Sequence, residues 1–118
     1  MFFVIVSKVS LNSSGKKSWK YGKIEAKMKL PYGNGMWPAF WMMGNTGNWP
    51  ACGEIDIMEL VGGNKCGSEC GDNKTHGYLW WSDNGDKTAG KQAPTLSVGK
   101  YADDYHVFGV EWDATSIK

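Results

Sequence analysis

Between residues 21 and 30 the chain alternates: Ile24, Ala26, Met28 and Leu30 fall on one side of an extended strand, and Lys23, Glu25, Lys27 and Lys29 on the other. Period-two alternation predicts a half-buried β-strand whose wet face mixes both charge signs. The turn residues Pro31-Tyr32-Gly33-Asn34-Gly35 follow, and then Met36 to Met43, a continuous apolar run short enough for a buried strand. Gly44 to Pro50 reads as a loop, Gly53 to Leu60 as a strand, Gly62 to Thr75 as a polar loop, His76 to Trp81 as a strand and Ser82 to Gln92 as a loop. A weaker strand is expected at Thr95 to Val98, and a clear one from Tyr105 to Trp112, where His106, Phe108, Val110 and Trp112 share a face. Residues 2–11 read as an apolar edge strand, followed by a turn from Asn12 to Lys17. No stretch has a convincing helical period, so the pattern predicts an all-β chain.

One strand breaks the pattern. In Glu54-Ile55-Asp56-Ile57-Met58-Glu59 three carboxylates lie within six residues of a segment that otherwise looks buried. On a straight strand Glu54, Asp56 and Met58 would share a face and Glu59 would point the other way. A β-bulge at Ile57 and Met58 brings Glu59 back beside the other two. Three aligned carboxylates repel one another, so a strand built only for stability has little use for them. A retaining glycosidase does: one carboxylate attacks the anomeric carbon and a second protonates the leaving oxygen, about 5–5.5 Å away. Positions four apart on a straight strand lie about 13 Å apart, so the bulge and the lean of the side chains must close the gap. Asp56, between them, would share a proton with Glu54 and push the acidities apart. A cation site and a plain solvated face are the alternatives. Calcium ligands usually come from Gly- and Asn-rich loops rather than from an Ile-Met-Leu strand.

Composition narrows the classes. Apolar residues make up 42%, enough for a core, and seven Trp with sixteen Gly suit a β fold with tight turns and a sugar-binding cleft. The net charge is +1, with the 13 basic residues, all Lys, spread among 12 acids, which argues against a nucleic-acid partner. No segment is long enough to span a membrane as a helix, and Met1 to Val6 is too short for a signal core and lacks a basic flank. Three Cys cannot all pair within one chain. Cys66 and Cys70 are placed for a local disulfide, and Cys52 is expected to be buried as a small apolar residue. Zinc held by Cys66, Cys70 and His76, with or without Cys52, fits poorly, because the spacing is not the paired Cys-x-x-Cys pattern.

The segment Glu54 to Glu59 resembles the active-site signature of glycoside hydrolase family 16, in the bulged form carried by laminarinase-like members. The stretches Tyr21 to Pro31, Gly35 to Met42, Trp49 to Gly53 and Phe108 to Trp112 resemble that family as well, so the likeness runs from about Asn12 to Lys118. The resemblance implies an antiparallel jelly-roll sandwich. All-β sandwiches often run to about 200–250 residues as one domain, so residues 1–118 read as a single partial domain, with 1–11 as an N-terminal extension. It further implies endo-hydrolysis of β-1,3- or mixed β-1,3-1,4-glucan with retention, Glu54 acting as nucleophile, Glu59 as general acid and base, and Asp56 orienting Glu54. Trp37 and Trp41 would flank the catalytic sugar, Trp49 would stack close by, and Asn34 would offer polar contact. Family members often carry a His-Gly-Thr-x-His-Trp-like segment after the signature; here His76 keeps the first His and Trp80 stands at the second, and parity with Tyr78 lets all three face the cleft. The chemistry needs no cofactor, and the ligands of the calcium that members often hold have no match here. The resemblance also implies an extracellular protein. Open strand edges predict pairing with another copy, as a homo-oligomer, or with a complementary segment. A β-glucan-binding module without hydrolysis, or an inactive piece of an enzyme, are the rival readings.

Overall fold

Six antiparallel strands organise the computed structural model, which describes residues 9–93 and 95–118. They are β1 (Gly22–Met28), β2 (Ala39–Met43), β3 (Glu54–Glu59), β4 (His76–Ser82), β5 (Asp86–Gln92) and β6 (His106–Trp112), with one 3-10 turn at Gly67–Glu69. β2, β3, β4 and β5 form one sheet in that order, and β1 pairs with β6 in a second. The architecture is all-β and antiparallel, as the alternation predicts.

The alternation in β1 and β6 does what it should. Ile24, Ala26 and Met28 turn inward, opposite Val110, Phe108 and His106, while Lys23 and Glu25 pair at 2.7 Å on the wet side. The core lies where the sheets meet: Leu30, Met58, Leu60 and Tyr101 are buried, with Met28, Phe40, Leu96 and Phe108 packed against them. β6 faces the reverse side of the larger sheet. A cavity of about 470 Å³ remains there between Ile55, Ile57 and Leu79 on one side and Val110 and Ile117 on the other.

Four expectations need correction. The apolar run from Met36 forms a strand only from Ala39, past Pro38, which has no N–H to donate to a ladder. Ser82 to Gln92 is not a loop: Asp83-Asn84-Gly85 turns the chain and β5 returns as a fully exposed edge strand. Asn84 and Gly85 take positive φ there, which is the usual use of an Asn-Gly pair in a hairpin. Thr95 to Val98 forms no strand; Leu96 is tied by its backbone N–H and C=O to Asn73 and drops its side chain into the core. Cys52 is part-exposed rather than buried. Of the expected strand at residues 2–11, residues 2–8 lie outside the described residues, and Val9 to Leu11 join no sheet. The turn from Asn12 to Lys17 is present, closed by the N–H groups of Lys16 and Lys17 on the Ser13 carbonyl.

Candidate active site

The bulge falls where parity requires it. Against β4, Asp56 pairs with Tyr78 and Glu59 with His76, so Ile57 and Met58 together face the single residue Gly77. Against β2, Trp41 pairs with Asp56 and Phe40 with Met58, so Ile57 is skipped. A Cβ on Gly77 would lie 3.2 Å from the Asp56 carbonyl oxygen, so a residue without one fits against the bulge. Directly paired residues share a face, and one surface therefore carries Ala39, Trp41 and Met43 from β2, Glu54, Asp56 and Glu59 from β3, and Trp80, Tyr78 and His76 from β4.

Each carboxylate on this face receives an indole N–H. Trp37 Nε1 donates to Glu59 Oε1 at 3.0 Å, Trp49 Nε1 to Glu54 Oε2 at 2.5 Å, and Trp80 Nε1 to Asp56 Oδ2 at 3.1 Å. The donors come from three parts of the chain. Trp37 precedes β2 and Trp80 lies on β4. Trp49 hangs over the start of β3 because the loop before it closes on itself, with Gly44 N–H on the Gly53 carbonyl and Cys52 N–H on the Asn48 carbonyl, both at 2.9 Å. Trp37, Trp41 and Trp49 remain 68%, 49% and 53% exposed, so these large apolar rings line an open surface rather than a core.

The carboxylates disturb one another. Asp56 is nearly buried, and burial, then the charges of Glu54 and Glu59, raise its pKa from 3.8 to about 6, against the pull of the Trp80 N–H. The Glu54 carboxyl also lies close enough to share a hydrogen bond with Asp56, which favours the protonated form. Near neutral pH such a face can hold carboxylates and a carboxylic acid together, which acid–base chemistry at a single bond requires.

The remaining expected residues divide. His76 shares the face by register but is buried; its Nε2 lies 3.1 Å from the Glu69 carbonyl oxygen and its Nδ1 3.8 Å from the Glu69 carboxylate. It is turned to the loop, not solvated as a loop-end histidine would be. Asn34 is held in the turn before β2, where its Oδ1 accepts from Asn64 N–H at 3.3 Å. That loop cluster is fixed by Asp72, whose Oδ1 accepts from Gly33 and Gly63 N–H at 2.8 and 2.9 Å. Tyr78 was placed on this face by parity but given no role, and Glu69 was not singled out at all. Tyr78 stands between Trp80 and His76 with its ring laid over Gly90, where a Cβ would come within 2.2 Å of it; strand parity was the signal. Glu69 carried no such signal, because a loop sets its place. Cys66 and Cys70 are joined as a disulfide around the 3-10 turn that presents Glu69. Among the described residues no group of three or more His, Cys, Asp or Glu is arranged to hold a metal ion.

Comparison with known proteins agrees with this geometry. Residues 6–118 match the family model for glycosyl hydrolases family 16. The chain is 38% identical to the glucan endo-1,3-beta-glucosidase A1 of Niallia circulans, over 92% of this chain and 16% of that protein. It is 33% identical to the beta-1,3-glucan-binding protein of Penaeus monodon, over 96% of this chain and 32% of that one. The crystal structure of the laminarinase catalytic domain from Thermotoga maritima superposes with a TM-score of 0.70 at 37% identity, over 88% of this chain and 41% of that one. The chain thus spans less than half of the proteins it matches. On the family model and the shared jelly-roll fold, this chain belongs to glycosyl hydrolases family 16.

Proposed function

We propose that this chain carries the catalytic face of a β-glucan hydrolase that cuts within β-1,3- or mixed β-1,3-1,4-linked chains and retains anomeric configuration. The observation that carries the reading is the bulge: it sets Glu54, Asp56 and Glu59 on one face, each with an indole donor, under exposed aromatic rings. Glu54 attacks the anomeric carbon as the bond to the glycosidic oxygen breaks, and Glu59 gives that oxygen its proton. Glu59 then takes a proton from water, the water oxygen attacks the same carbon, and the ester to Glu54 breaks. Asp56 holds the proton that Glu54 must not carry while it attacks. Flat sugar faces stack on Trp37, Trp41 and Trp49, and these steps call for no cofactor. The reading places the protein outside the cell, in keeping with the Cys66–Cys70 disulfide. The outer edges of β2 and β5 suit pairing with a second copy or a complementary segment.

Reducing-sugar release from laminarin and from mixed-linkage β-glucan, compared with Glu54→Ala, tests this. Release that disappears in the variant is expected, and the better polymer identifies the linkage. A second reading, glucan binding without cleavage, is favoured by the breadth of exposed indole and by the likeness to the Penaeus monodon glucan-binding protein. It predicts tryptophan fluorescence quenched by glucan oligosaccharides with no product formed.

A further inference from the structure

Asp56 is 7% exposed, the least of the three carboxylates, and it makes its side-chain hydrogen bond to an indole that is not its direct cross-strand partner. Trp80 pairs across from Glu54, and its ring reaches diagonally along the face to Asp56 Oδ2 at 3.1 Å. The ring is held from both sides. Its centroid lies 5.6 Å from Trp49, which itself donates to Glu54, and 6.4 Å from Tyr78, whose own ring is seated on Gly90.

We propose that Trp80 is a positioning residue: it pins Asp56 Oδ2 from the diagonal, so that the opposite oxygen, and the proton it carries, stay directed at Glu54. The chemistry of the indole suits this task. Its N–H only donates and does not titrate, so the oxygen it holds is kept from carrying the proton at any working pH. An imidazole in the same place would gain and lose its own charge between pH 5 and 8. The titratable groups on this face near Asp56 are Glu54 and Glu59 on its own strand and Tyr78 and His76 on β4. β2 offers Ala39, Trp41 and Met43, and the preceding loop offers Trp49, none of which titrates. On β5, beyond β4, the face continues with Thr88, Gly90 and Gln92, and reaches Asp86 only at its end.

The test is a pH titration by nuclear magnetic resonance, following the Trp80 indole N–H and the Asp56 carboxyl carbon. The indole signal is expected to move with a midpoint of about 6 in the wild-type chain and to stop moving there in Asp56→Asn. In Trp80→Phe, which keeps a ring between Trp49 and Tyr78, the Asp56 midpoint is expected to rise by about one pH unit. An indole signal that stays fixed from pH 4 to 8, or an Asp56 midpoint unchanged in Trp80→Phe, overturns the proposal. If Trp80→Phe does not fold, the wild-type and Asp56→Asn titrations decide it. The kinetic consequence rests on the glucan-hydrolase reading: Trp80→Phe should lower kcat by about tenfold and leave KM in place, whereas loss of a stacking residue raises KM. No hydrolysis by any variant, with the indole signal still following Asp56, would remove the hydrolase reading and leave the positioning role standing.

Discussion

The two faces of the four-stranded sheet come from alternate residues of the same strands, yet they treat water in opposite ways. On one face Glu54, Asp56 and Glu59 stand among indoles left half-open to solvent. On the other, Met58 and Leu60 are 1% and 0% exposed and form the centre of the core. A straight strand of the same length would mix these sets, with Met58 among the carboxylates and Glu59 among the methyl groups. The single residue in excess at Ile57 sorts them. The bulge is therefore a stability device and, on the glucan-hydrolase reading, a functional one at once, since the same shift that turns Glu59 to the open face turns Met58 and Leu60 to the core.

The largest expected effect follows from reversing that sorting. Exchanging Met58 and Glu59, as Met58→Glu with Glu59→Met, sends the carboxylate to the reverse face and puts a methionine beside Asp56. Sugar release should fall by about 10²–10⁴-fold, the usual contribution of a general acid, and the protein should unfold more easily. Deleting Ile57 shortens the strand but restores plain alternation, with Glu59 still beside Asp56 and Met58 still inward. That variant should retain measurable release. Equal activity in a folded exchange variant and the deletion variant would show that the bulge does not sort the faces.

A smaller effect separates the faces by stability alone. Met58→Ala should cost about 2–5 kcal/mol, because the cavity opens inside a closed cluster. Trp41→Ala removes a larger ring from the cleft, where it is 49% exposed, and should change stability by less than about 0.5 kcal/mol while weakening oligosaccharide binding. Denaturant midpoints at fixed protein concentration measure both. If Trp41→Ala costs as much as Met58→Ala, Trp41 is a core residue and the contrast fails.

How legible each part was follows from the range of the forces that place it. β1, β3 and β6 were legible because burial on one side imposes a period on side chains, and the bulge was legible because parity failed at Glu59. β5 was not: Asp86 to Gln92 is exposed throughout, so nothing imposes an apolar period, and only the Asn84-Gly85 turn marks the hairpin. The site shows the same division. That Trp80 and Tyr78 share a face with the carboxylates follows from counting along β4. That Trp49 reaches Glu54, that Trp37 reaches Glu59, and that His76 turns to Glu69 depend on loops whose closure is set by contacts distant in sequence. Asn34 is the instructive case. Its turn was read correctly, but its side-chain oxygen accepts a backbone N–H from the loop after β3.

The smallest expected effect concerns the cost of keeping three carboxylates together. Asp56 titrates at about 6 in the folded chain and near 3.8 when unfolded. Below about pH 4 both states hold the proton and the difference vanishes. Between about pH 4 and 6 the unfolded chain has released it and the folded chain has not, so stability falls as pH rises, and above that it levels off. The loss should be about 1 kcal/mol, less than full linkage gives, because Glu54 and Glu59, whose charges add to the shift, lie on an open face where water screens them. Asp56→Asn removes the titrating group and so should be the more stable protein at pH 7, by a margin that shrinks toward zero at pH 3. Thermal unfolding of both proteins across that range checks it. A wild-type chain whose advantage over Asp56→Asn instead grows with pH would mean that the carboxylate is stabilised where it stands, and the cleft face would then carry no cost in stability to set against the core.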